Sequence, residues 1–275
     1  MRPYRQQEAS TRDTHIIQSL DKGLFVLELI EQVGHPIGLS ELKQKLGWDK
    51  ATVHRILATL ERRGYILRNP STKGYSLGLK LYGLYDSLVR NFDIHEATRP
   101  LLVEVARETG ESTHLAVAVG KEIVFIDQIP SSEVLSVNTQ IGARQPLYCT
   151  ALGRAVLARV PPAELTAYIP QPMAKYTAHT ITRIADLRAA LQIAREKEFA
   201  VDNEEFVDGI KCVAAPIVND KGQPVAAIGI SGPANRITVQ NAERFGRFIR
   251  DAAAQISRRA GWTADSAAAS ALKMS

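Results

Sequence analysis

Between Lys50 and Arg62 the residue types suit contact with DNA. At about 100° per residue, Val53, Ile56, Leu57 and Leu60 fall within about one third of a helix circumference. Thr52, Arg55, Thr59 and Arg62 collect on the other side, with His54 at the edge of that face. A guanidinium can pair bidentately with guanine, and threonine or lysine can touch base edges or hold phosphates. Thr52, Arg55 and Lys50 are therefore read as sequence-reading residues, and Ser40 and Arg62 as phosphate anchors. His54 either completes the apolar seam or reaches a phosphate. The plainer alternative is a polar helix face that meets only water.

Such a face needs a frame. Leu39, Leu42 and Leu46 mark a helix that Gly47 ends, so residues 38–62 read as helix, turn, helix. A preceding helix is expected over Ser19–Val33, capped by Ser19 or Asp21, with Leu20, Leu24, Leu27 and Ile30 buried. After Gly64, two short strands flank the turn-rich segment Asn69–Gly74, which bears Arg68 and Lys73. This order is that of a winged helix-turn-helix, whose wing sets basic side chains on the flanking backbone. Residues 78–92 carry Leu81, Tyr85, Leu88 and Phe92 at helical spacing, with Tyr82 and Val89 beside them. That much apolar surface calls for packing against a twin helix or against the chain's own wing domain.

Charge agrees with a DNA partner. The chain has 275 residues and a formal net charge of +5. Residues 1–92 hold 14 basic and 9 acidic side chains, and the remainder is balanced at 20 of each, so the whole excess sits in the N-terminal third. Two cysteines without metal spacing argue against a disulfide scaffold and fit a reducing cytosol. No apolar run is long enough to cross a membrane, and no signal core opens the chain, so a cytoplasmic protein is expected.

Beyond residue 95 the texture changes. A helix over 95–109 precedes strands at Thr113–Val119, Glu122–Gln128 and Val134–Thr139. Residues 147–160 read as a helix capped by Thr150, and another spans 183–198. Strands Cys212–Val218 and Pro224–Ser231 form a hairpin, and a helix over Thr238–Ala260 closes the fold at Gly261. An antiparallel sheet with helices on its faces is α+β. An enzyme is the competing class. Cys149 or Cys212 with His114 or His179 can be imagined as thiol and base. No nucleophile elbow, phosphate loop or metal spacing supports this, and neither a metal nor a cofactor is expected. A third reading is a sensory module acting through protein contacts alone.

Four segments in this order resemble the IclR-type bacterial transcriptional regulators over roughly residues 16–260. They are Ser19–Leu29, Thr52–Leu60 with Gly64-Tyr65, Pro146–Ala155, and Gly209–Ile217 with Ile228–Pro233. Residues 1–15, polar and aperiodic, read as a disordered arm, and the Ala/Ser-rich stretch 262–275 as a loose tail. The resemblance implies a winged helix-turn-helix DNA-binding domain over 16–77, a linker and dimerisation helix over 78–94 and a GAF-like effector domain over 95–261. It implies a homodimer or dimer of dimers on a pseudo-palindromic operator, answering a small organic acid from carbon catabolism, either an aromatic carboxylate or a short oxo-acid. Its effector pocket maps onto the start of the helix at Ala151, Leu152 and Gly153, onto Asp202 and Cys212, and onto the strand end Gly229–Ser231. On the physical side, the free N–H groups opening that helix can receive a carboxylate. Asp202, in the acidic stretch Asp202–Glu205, can orient a hydroxyl or amide. Leu147, Tyr148, Leu157 and Val137 can supply apolar walls, and His114 is either another wall or a satisfied core histidine. Some relatives carry a serine where Gly229 stands here, which removes one donor.

Overall fold

A computed structural model describes residues 17–84 and 94–260. The arm, the tail, Gly261 and the linker positions Tyr85, Leu88, Val89 and Phe92 lie outside the described residues. The chain divides into two compact units between Arg90 and Asn91.

In the first unit, helices α1 (Gln18–Val33), α2 (Leu39–Leu46) and α3 (Lys50–Arg62) pack around Val26, Ile30, Leu42, Leu46, Val53 and Leu57. Gly47 closes α2 in the left-handed conformation, at φ 68, which turns the chain into α3. Asp49 caps α3 by accepting from Thr52 N at 2.9 Å. Strands β1 (Ile66–Arg68) and β2 (Tyr75–Leu77) pair antiparallel, with Arg68 opposite Tyr75. A bridge from Ile37 to Tyr75 ties this wing to the bundle. A further helix begins at Lys80.

Two features of α1 differ from expectation. Its N-cap position is Ile17, which offers no side-chain cap, so neither Ser19 nor Asp21 caps the helix. Its buried face is Phe25, Val26 and Ile30, while Leu20 and Leu24 are exposed. The helix carries two apolar stripes about 140° apart. The bundle buries one of them. The other, Leu20, Leu24 and Leu27, lines a groove with Ile56, Leu60, Leu81 and Leu84.

The second unit is built on a six-stranded antiparallel sheet. Its strands are β3 (Ser112–Val119), β4 (Glu122–Ile129), β5 (Arg144–Pro146), β6 (Ala200–Asn203), β7 (Ile210–Val218) and β8 (Pro224–Pro233), in the order β5-β4-β3-β8-β7-β6. Helices α4 (Ile94–Thr109) and α7 (Val239–Ala260) cover one face through Leu101, Leu102, Val105, Phe245, Ile249 and Ile256. Helices α5 (Ala151–Leu157) and α6 (Ile184–Lys197) cover the other through Ala151, Ala155, Leu187 and Leu191. The architecture is α+β, as the pattern indicated.

Residues 134–139 are not a strand. Val134 and Leu135 are exposed, and polar side chains hold the segment instead: Thr139 N donates to Gln128 Oε1 at 3.1 Å and Arg236 Nη2 to Leu135 O at 2.8 Å. β-branched residues make a strand only where they pair with a neighbour, and beside β4 the strand that pairs is β5, over Glu122–Val124. The helix expected over 147–160 runs only from Ala151 to Leu157: Thr150, its cap, is itself extended, and Leu147–Cys149 form a bend and turn before it. The acidic stretch from Asp202 begins in a strand, β6, and Asp202 is buried there.

Candidate functional site

The candidate DNA-binding surface is α3 with the wing. Lys50, His54, Arg55, Thr59 and Arg62 are exposed on α3, Ser40 on α2, and Arg68 and Lys73 on the wing. Thr52 is half-buried, and its backbone N–H is bound to Asp49. Hydrogen bonding from the Thr52 side chain, and then from its backbone N–H, holds the Asp49 carboxyl below its ordinary value. Thr59 Oγ1 donates to Arg55 O at 2.8 Å, so its hydroxyl is bound within its own helix. Thr52, Arg55 and Thr59 also line the groove beside Leu20 and Leu24. Arg55 and Arg62 lie farthest from the buried seam, about opposite it on the wheel. In the wing, Asn69 Oδ1 accepts from Ser71 N at 2.9 Å and Thr72 N at 3.0 Å, and Lys73 takes φ 58. The Arg68 guanidinium sits 5.6 Å from the centre of the Tyr75 ring.

In the second unit a cavity of about 120 Å³ opens over the α5 face of the sheet. The ladder explains its floor. Ser112 on β3 pairs with Ser231 on β8, Ser231 with Cys212 on β7, and Cys212 with Asp202 on β6. Directly paired residues share a face, so these four form one polar row across four strands. Cys212 Sγ lies 3.1 Å from Ser231 Oγ. Asp202 Oδ1 accepts from Glu205 N at 2.8 Å. Burial is the main cause that raises the Asp202 carboxyl to about 7, and it pushes the Cys212 thiol up as well.

Of the expected effector residues, Ala151, Leu152, Asp202, Cys212 and Ser231 line this cavity together with Val137. The others do not. Leu147 and Leu157 are core residues. Tyr148 is buried, with its hydroxyl donating to Ala174 O at 2.5 Å. Gly153 N is taken by Thr150 Oγ1 at 3.2 Å, so it is not free for a ligand. A Cβ on Gly153 would stand 2.3 Å from Leu147 O, so this glycine serves close packing. A Cβ on Gly229 would lie 2.7 Å from Ala214 Cβ, so a side chain there has no room.

Phe125, Thr139, Gln145, Phe206, Val207 and Ile210 also line the cavity and were not singled out from the sequence, and Thr150, read there only as a helix cap, lines it too. Behind it, Arg154 and Glu205 form an ion pair at 2.7 Å with side chains 4% and 7% exposed. Arg154 also donates to Val201 O. Arg154 was legible as a lone charge in an apolar helix, and Glu205 lay within the acidic run already noted. His114 is buried against Phe125, ring centres 5.5 Å apart, with neither ring nitrogen hydrogen-bonded; burial lowers it to about 4. Cys149 is pushed up to about 12 by burial. Both thiols are thus held protonated, the wrong state for a nucleophile.

A winged helix joined to a sheet domain with an enclosed polar-floored cavity defines a ligand-responsive DNA-binding regulator. Residues 19–70 match the IclR helix-turn-helix domain and residues 86–258 the bacterial transcriptional regulator IclR C-terminal domain. The chain belongs to the IclR family of transcriptional regulators, which are not enzymes. It is 32% identical to the HTH-type transcriptional regulator XynR of Escherichia coli, over 90% of this chain and 99% of that one. It is similar to the crystal structure of the Thermotoga maritima IclR, with TM-score 0.76, 32% identity, and coverage of 90% of this chain and 100% of that one. An IclR homologue from Microbacterium hydrocarbonoxydans, complexed with 4-hydroxybenzoate, shares the fold at TM-score 0.76 and 22% identity, with coverage of 87% and 98%. No helix among the described residues is long and apolar enough to cross a membrane.

Proposed function

We propose that this regulator controls a catabolic operon in the cytoplasm and answers a small organic acid, an aromatic carboxylate or a short oxo-acid. The observation that carries the reading is the polar row Asp202–Cys212–Ser231 beneath apolar walls from Phe125, Val137, Leu152 and Phe206. Hydroxyl, thiol and carboxyl groups orient one polar end of a ligand while the walls take its carbon skeleton. That the Microbacterium homologue is complexed with 4-hydroxybenzoate supports an acid of this kind.

On the DNA side, Lys50, Thr52 and Arg55 read bases in the major groove, and Ser40, His54, Arg62, Arg68 and Lys73 hold the backbone, while Thr59 lies on the same face with its hydroxyl given to Arg55 O. Two copies act together on a pseudo-palindromic operator, as a dimer or dimer of dimers. Support comes from Leu79, exposed just before the linker helix, and Leu84, exposed within it, apolar surface that a partner would cover. The effector alters DNA affinity only as far as it binds the DNA-competent and incompetent arrangements differently.

The test is a thermal-shift screen of catabolic acids, followed by operator binding with the hit across a salt series. A stabilising acid that changes operator affinity is expected, with log K falling steeply against log salt. Stabilisation by neutral compounds only, or salt-insensitive DNA binding, would contradict the reading.

A further inference from the structure

The cavity that is proposed to take an acid has no basic side chain among the described residues. Among its lining residues there is no lysine, arginine or histidine, and the one carboxyl there is Asp202. The nearest guanidinium, Arg154 on α5, is committed to Glu205 and to Val201 O. The charges around Asp202 can be counted element by element. Arg154 comes from α5 and Glu205 from the turn after β6, and these two cancel. Cys212 comes from β7 and Cys149 from the segment before α5, and both are held as neutral thiols by burial. An ionised Asp202 is therefore an excess negative charge, 3% exposed, on the floor of an apolar cavity. A second carboxylate placed beside it would meet repulsion in a poorly screening medium.

Resting on the reading that the effector is an acid, we propose that Asp202 takes up one proton from solvent when the effector binds. Its O–H then donates to the effector carboxylate. The proton turns a repelling acceptor into a donor and leaves the net charge of the filled cavity as it was in the empty one. Asp202 is suited to this because Oδ1 is already held by Glu205 N, which orients the carboxyl before the ligand arrives. Its ordinary value is displaced toward neutrality by burial, so the proton is acquired at little cost near pH 7.

The experiment uses the full chain, with pyruvate and 4-hydroxybenzoate as acid probes and their amides as uncharged counterparts, in calorimetric titrations from about pH 6 to about pH 8.5. Acid affinity is expected to fall roughly tenfold per pH unit above neutrality, with proton uptake visible as a dependence of the heat on buffer ionisation. In Asp202→Asn the amide is a permanent donor, and this dependence on pH should vanish. Acid binding that is level with pH, or that tightens as pH rises, overturns the proton uptake and leaves the acid reading standing. Binding of the amides without the acids at any pH removes the acid reading, and the proton uptake with it. A ligand-free arm decides the matter independently of the probes. The Asp202 carboxyl carbon, followed by NMR and assigned with Asp202→Asn, should titrate near neutrality. Titration complete below about pH 5 overturns the proposal.

Discussion

Arg154 and Glu205 face each other at 2.7 Å with almost no solvent around them. The Glu205 carbonyl meanwhile accepts from Thr180 Oγ1 at 2.6 Å. This pair anchors the turn that carries Phe206 and Val207 into the cavity wall. Removing one partner strands the other charge, and such losses cost about 3–5 kcal/mol. Arg154→Met should therefore lower the unfolding free energy of the second unit by about that much, read by calorimetry. The double variant with Glu205→Leu should recover most of the loss, because an apolar pair carries no stranded charge.

Arg55 stands farthest from the seam of α3 and is proposed to read a base. Arg55→Ala should cost about 1–3 kcal/mol on the operator and relax preference at one base position in a binding-site selection. Arg68→Ala or Lys73→Ala in the wing should instead weaken all sequences alike and reduce the salt slope by about one each. Uniform weakening by Arg55→Ala would contradict base reading.

His114 and Asp202 pull the pH profile in opposite directions. Burial lowers His114 to about 4 from 6.5, so the folded state favours the neutral ring. Its contribution is complete above about pH 6.5 and is lost as pH falls toward 4. Asp202 is raised to about 7 from 3.8, so its contribution is complete at low pH and is lost as pH rises from about 4 toward 7. Between about pH 4 and 6.5 the two largely offset each other. In urea melts, Asp202→Asn should gain stability as pH rises through this window, and His114→Phe should lose it.

Gly153 has backbone packed where its side chain would be, with Leu147 O 2.3 Å from an ideal Cβ. Gly153→Ala should destabilise the second unit by about 1–3 kcal/mol through overpacking. The loss should appear in thermal melts of the unliganded protein, since the residue does not line the cavity. An unchanged melt with lost acid binding would return Gly153 to the effector site.

The parts legible in the sequence are those with short-range causes. The seam Val53–Leu57–Leu60, the Gly47 turn, the Asn69–Gly74 wing tip and the hairpin β7–β8 each follow from a local period or a local turn residue. Thr150 as a helix cap was readable for the same reason. The failures have long-range causes. Val134–Thr139 has strand-like residues but pairs with none of the six strands. Leu20 and Leu24 have helical spacing, yet a second apolar stripe on α1 won the core. The resemblance did not distinguish the residues facing the cavity from Gly153 and Gly229, and the apolar pattern did not distinguish Val137 from Leu147, Tyr148 and Leu157, which do not line it.

By itself, the sequence determined a basic helix-turn-helix with a wing, a neutral α+β partner and the family to which both belong. Amphipathic period, caps and charge placement are properties of neighbouring residues, and these survive in one dimension. Only the tertiary structure decided that Ser112, Ser231, Cys212 and Asp202 stand in one row, because that row is made by pairing across 119 positions of chain from Ser112 to Ser231 and is set by strand register. The tertiary structure also decided that Arg154 is committed to Glu205, which leaves the cavity floor acidic, with no basic side chain among the described residues that line it.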